Sequence, residues 1–177
     1  MTQAQFAGGT ANAPQAHPVK GQLIRDFTLP STVGREISVS DYRDRSSLVL
    51  VFAGGSIAKP DLKILTEIST DYARFREEQA EVLAILQCDL ESATEIAQQA
   101  NFSFPLLVDD DGRVHRSAGA VDHEGGPSAV IYIVDSFGEV FAVYGAADGQ
   151  AMPKTSEIAQ WLTLISMQCP ECGHPEW

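Results

Sequence analysis

Positive charge is scarce in this chain. Twelve lysines and arginines stand against 24 aspartates and glutamates, giving a net charge of −12 and a pI near 4.6. Nucleic acid and anionic membrane surfaces both require a basic face, so the sequence argues against both as partners. No apolar run approaches the roughly 20 residues that span a bilayer. The opening stretch, MTQAQFAGGTANAPQAHPVKGQ, has no basic start and no apolar centre, which argues against a secretory signal. Cysteine is scarce too. Three of them, an odd number, argue against a disulfide framework and for a cytoplasmic protein with reduced thiols.

What is present suits one globular domain. The 177 residues are 44% apolar and 20% charged, enough for a sizeable core, with the acidic surplus as solvated surface. Residues 1–21, rich in Ala, Gln and Gly without periodicity, form an expected flexible N-terminal arm; 22–167 form the domain and 168–177 a C-terminal tail. Ile37 and Val39 alternate with polar residues as in a short edge strand. SSLVLVFA (46–53) and EVLAILQ (81–87) are apolar runs of strand length and are predicted to be buried strands. Between them Leu62, Leu65, Ile68, Tyr72 and Phe75 fall on one helix face, with Pro60 in the first turn. ESATEIAQQA reads as a helix capped by Ser92 or Asp89. FPLLVD reads as a short strand, and RVHRSAGAV as a short helix. GGPSAVIYIVDSFGEVFAVYG reads as two strands turning at Asp135–Gly138. SEIAQWLTLISM closes the domain as a helix with Ile158, Trp161, Leu162 and Ile165 inward. The order β-α-β-α-β, hairpin, α predicts an α/β fold with a mixed sheet, parallel early and antiparallel late.

Two of the three cysteines, Cys169 and Cys172, close the chain in QCPECGHPEW. A C-x-x-C pair works as a redox dithiol, forms half of a zinc site, or is idle. In the zinc alternative Cys169, Cys172 and His174 are ligands, and a fourth comes from His17, His115, His123 or a second chain. Pro170 and Pro175 stiffen the segment, and the terminal Trp177 is an apolar anchor expected to dock in a groove. Cys88 ends the strand EVLAILQC. It is read first as a small apolar residue and second as a thiol at the site edge that exchanges with the tail. VDDDGRV lacks the spacing of a calcium loop and reads as a turn. The scattered histidines read as surface or capping residues.

DFTLPSTVGREISVSDYRDRSSLVLVF, FPLLVDDDGRVHRSAGAV and GGPSAVIYIVDSFGEV occur in an order and at gaps that resemble the alkyl hydroperoxide reductase/thiol-specific antioxidant (redoxin) family over about residues 22–165. That resemblance implies a three-layer thioredoxin-like fold, a cis bond before Pro127, and a reactive thiol where the helix after SLVLVFA begins. A helix start stabilises a thiolate. This chain has no cysteine from Phe52 to Gln87, and Ser56, Ala58 and Asp61 occupy that neighbourhood. Ser56 and Asp61, with Pro127, are therefore expected as walls of the site, with no evident base to activate the serine. The family's peroxidases also hold peroxide with an arginine near the proline, and none occurs here from Ser117 onward. Two functions follow. One is a thiol-dependent oxidoreductase with no cofactor, working through the tail dithiol on a protein thiol or disulfide, with peroxidase activity weak or absent. The other is a redox-inactive scaffold whose tail binds zinc or supports a homodimer.

Overall fold

The structure, a computed structural model, describes residues 18–54, 59–145 and 151–168, and for 59–61 the backbone alone. The apolar runs become the central strands. β3 (Ser47–Ala53) is buried at every position and lies mid-sheet. Around it the order is β5 (Leu106–Val108), β4 (Ala80–Leu86), β3, β6 (Val130–Val134), β7 (Val140–Gly145). β3–β4 and β4–β5 run parallel, and β3–β6 and β6–β7 antiparallel, as the element order predicts. Ile37 lies in a short edge strand as expected, and Val39 falls outside it. β2 (Glu36–Ser38) pairs only with β1 (Thr28–Pro30), and Val39 opens a 3-10 turn to Tyr42.

Alternation along the strands divides the core in two. Val49, Val51, Val82, Ala84, Ile131 and Ile133 face α1 (Lys59–Glu77) and α4 (Thr155–Ser166). From α1 come Leu65, Ile68 and Phe75, each fully buried, at the predicted helical spacing. Glu78 joins the two helices by accepting from Thr163 Oγ1 at 2.8 Å and Ser166 Oγ at 2.9 Å. Trp161 is only partly buried. Its indole donates to Tyr144 Oη at 2.7 Å, and that hydroxyl donates to Glu157 at 2.9 Å, tying α4 to β7. On the other face Leu48, Leu50, Phe52, Leu83, Ile85 and Tyr132 are covered by β1, β2, the 3-10 turn and the stretch around α3 (Arg113–Ser117). The layers are thus unequal, with long helices on one side and short elements on the other.

α2 (Leu90–Ala100) is capped by Asp89, whose carboxylate accepts the Ser92 N–H at 2.8 Å. No helix of the described residues is long and apolar enough to cross a membrane.

Candidate functional site

The parallel strands β3 and β4 end together, Ala53 opposite Leu86. Ligand sites in open α/β sheets form where strands end in this way. Gly54 continues β3 at this edge, and Cys88 lies two residues past the end of β4. Ser56 lies outside the described residues, as do Cys169, Cys172, His174 and His17. Asp61 stands in the first turn of α1, its side chain likewise outside them.

Beneath this edge sits a buried Asp–His pair that sequence patterning does not announce. His115 is fully buried and Asp109 is 2% exposed. The ring Nδ1 is 2.7 Å from Asp109 Oδ2, and Nε2 is 3.1 Å from the carbonyl oxygen of Ala53, the last residue of β3. Both ring nitrogens face acceptors, so the ring is held from both sides. The same carboxylate accepts the backbone N–H groups of His115 at 2.8 Å and Val114 at 3.2 Å, closing the first turn of α3. Burial pushes the Asp109 carboxyl up. The bonds from His115 and Val114 and the charge of the ring outweigh it and hold the carboxyl below its ordinary value. Phe52 packs edge-on against the imidazole, ring centres 5.2 Å apart. The expectation of a surface or capping histidine is thus corrected at position 115. With both nitrogens engaged, that ring is also not open to a metal. His123 is exposed. Among the described residues no group of three or more His, Cys, Asp or Glu side chains is arranged to hold a metal ion.

The wall before β6 also differs from expectation. No cis peptide bond occurs among the described residues, so Pro127 follows a trans bond. The local pairing explains this. Pro127 lies opposite Val121 in an antiparallel bridge. On either side Asp122 N–H donates to Gly126 O at 2.8 Å and Ser128 N–H to Ala120 O at 2.9 Å. That ladder keeps the backbone extended through Pro127, where trans is the lower-energy form. The chain reversal is made by Asp122, whose carboxylate accepts from Glu124 N and Gly126 N, each at 2.9 Å, and by Gly125 at φ +82°.

Cys88 is partly buried and unbridged. Burial first, then the charges of Asp89 and Asp110, push its thiol up, only partly offset by the Ala93 N–H. It packs at the margin of the core under α1, α2 and α4. At neutral pH it is a protonated, weak nucleophile. The described edge therefore supplies a rigid frame and no activated group. His115 has no free nitrogen to act as a base.

A model of the AhpC/TSA family matches residues 20–143. Peroxiredoxin Q of rice chloroplasts (Oryza sativa subsp. japonica) is 28% identical over 127 residues, which cover 71% of this chain and 58% of that protein. The chain thus spans little more than half the length of that relative. Peroxiredoxin Q of Sedum lineare is 27% identical over 135 residues, 75% of this chain and 72% of the relative. In solved structures the same fold appears in peroxidoxin BcpB of Mycobacterium tuberculosis (TM-score 0.75, 20% identity, 84% of this chain and 99% of that one). It appears too in a Chlorobium tepidum protein described as thiol:disulfide interchange protein DsbE (TM-score 0.68, 20% identity, 85% and 99%). These likenesses bear out the thioredoxin-like α/β architecture.

Proposed function

The chain belongs to the AhpC/TSA family and is peroxiredoxin-like, and from that premise we propose that it is a thiol oxidoreductase whose working thiols are Cys169 and Cys172, with peroxide reduction weak or absent. One observation carries this: where the chain's sulfur lies. No cysteine occurs between Phe52 and Gln87, and Cys88 is held protonated by burial and two aspartates. The tail pair is what remains, and a C-x-x-C spacing lowers the pKa of one of its thiols. In the proposed step one tail thiolate attacks a sulfur of a partner protein's disulfide and expels the other sulfur as a thiolate. The second tail thiol, deprotonated, then breaks the mixed disulfide. The tail pair is oxidised and the partner disulfide reduced by two electrons, and the released partner thiolates take up the two protons. Ser56, Asp61 and Pro127 enter as wall residues only, and no cofactor is needed.

The test combines three measurements. Mild oxidation is expected to remove two thiols per chain by titration, leaving Cys88 free. Stopped-flow hydrogen peroxide consumption is expected to fall far below that of a peroxidase with a helix-start thiol. Metal analysis of protein purified without chelator is expected to find no stoichiometric zinc. Rapid peroxide turnover abolished by Cys169→Ser would overturn the peroxidase part. Stoichiometric zinc, with the tail thiols protected until chelator is added, would favour the C-P-E-C-G turn as a metal site on a scaffold.

A further inference from the structure

In a chain with net charge −12, three arginines converge on one cleft. Arg35, Arg43 and Arg45 line a depression of about 660 Å³ where the 3-10 turn Val39–Tyr42 leads into β3. The cleft lies at the start of β3, whereas the family's site lies at its end. Seven residues of extended strand separate the two, roughly 20 Å at 3.3 Å per residue.

Two carboxylates share the lining, and both are engaged elsewhere. Asp41 accepts the Ser38 N–H at 3.0 Å in a capping box. Glu81 takes the Tyr72 hydroxyl at 2.5 Å and pairs with Arg76. Among the described residues, no carboxylate forms an ion pair with Arg35, Arg43 or Arg45. Arg45 also borders the neighbouring acidic groove of Glu77, Glu78 and Asp135 without pairing there. Burial and then the charge of Glu81 push the Tyr42 hydroxyl up, while Arg35 beside it acts to lower it. Tyr42, Ser40 and Ser46 bring hydroxyls to the lining. The depression is therefore lined by three guanidinium groups and three hydroxyl groups against two carboxylates, one of which already has Arg76 as its ion-pair partner.

We propose that this cleft binds the phosphoryl group of a small phosphorylated metabolite. Guanidinium forks match a tetrahedral oxyanion with paired N–H donors, and hydroxyls satisfy the remaining oxygens. The volume suits a small molecule. A phosphate dianion also reaches the cleft against the field of an acidic protein only if the local charge is positive, and three arginines against Asp41 and the already paired Glu81 leave the lining net positive.

The probes are inorganic phosphate and pyrophosphate, titrated at ionic strength held constant with sodium chloride. A saturable rise in melting temperature is expected, with backbone amide shifts in NMR spectra concentrated at Ser40–Ser46. Arg43→Gln with Arg45→Gln is expected to weaken binding at least tenfold. Arg113→Gln, which removes an exposed arginine paired with Asp111, is expected to leave it unchanged. Cys169→Ser with Cys172→Ser is expected to bind like the parent, which separates this site from the redox proposal. No saturable response beyond matched chloride overturns the proposal. So does an equal response in the double arginine variant, or amide shifts elsewhere, a readout that needs no variant to fold. A response to a polyglutamate peptide with none to phosphate also overturns it, and would mark a protein-docking face.

Discussion

At the scale of single residues, Asp109 and His115 form a pair held on every side, buried and hydrogen-bonded to each other and to the backbone. The Asp109 carboxylate is the shared acceptor for His115 Nδ1 and two backbone N–H groups, and leaving buried donors without their acceptor costs about 1–3 kcal/mol. Asp109→Asn is therefore expected to lower stability in urea by about that amount. The pH dependence has a definite sign. Asp109 is held below its ordinary value in the folded state. Its stabilisation is thus complete above the unfolded carboxylate pKa of about 3.9 and is lost as pH falls through the lower folded value. The parent is expected to lose stability more steeply than Asp109→Asn on acidification. Parallel curves for the two would remove Asp109 from the explanation. Cys88 gives the opposite case, a thiol pushed up. In a Cys169→Ser, Cys172→Ser background, Asp89→Asn keeps a capping side chain at the start of α2 but removes one of the two charges acting on the thiol. The midpoint of iodoacetamide alkylation against pH is expected to move lower. A midpoint that stays put or rises would mean Asp89 does not act on the thiol.

At the scale of elements, close packing of backbones sets limits that side-chain patterns do not show. A Cβ placed on Gly145 at the end of β7 would meet the Ala129 carbonyl oxygen at 2.8 Å and Val130 Cγ2 at 2.9 Å. Gly145→Ala is expected to cost about 1–3 kcal/mol by overpacking, read from denaturant midpoints. A variant as stable as the parent would mean that the edge strand shifts freely. The strands and long helices were legible in the sequence because periodicity reports burial. The runs LVLVFA (48–53) and VLAIL (82–86) are apolar at every position since both faces of a central strand are covered. The trans bond at Pro127 was not legible, because it depends on the bridge to Val121 and the Asp122 turn, contacts between segments that the proline's position does not encode. The same holds for the site. VDDDGRVHR contains both members of the buried pair, but only the fold of α3 brings Asp109 under the His115 ring and that ring under Ala53. The absence of a helix-start thiol, in contrast, was plain from the letters alone.

At the scale of the whole molecule, the charge imbalance is itself a force. Among the described residues the ion pairs nearer the surface include Lys63–Glu67, Arg76–Glu81 and Arg113–Asp111. Lys63 and Arg113 are largely exposed, and pairs of that kind contribute little. Against them stands a net charge of −12, whose self-repulsion disfavours the compact state. Repulsion between distant surface charges is felt over roughly 30 Å at 0.01 M salt and only about 8 Å at 0.15 M. The buried pair of Asp109 and His115 is shielded from that screening by its burial. Raising sodium chloride from the lower to the higher concentration is therefore expected to raise the melting temperature by a few degrees, since about 1 kcal/mol shifts a domain of this size by roughly 2–4 °C. Phosphate buffer would confuse the result by occupying the arginine cleft, so a zwitterionic buffer at neutral pH is the condition to use. A melting temperature that falls with added chloride would show that attractive surface pairs, and not the acidic surplus, dominate the electrostatics of the fold.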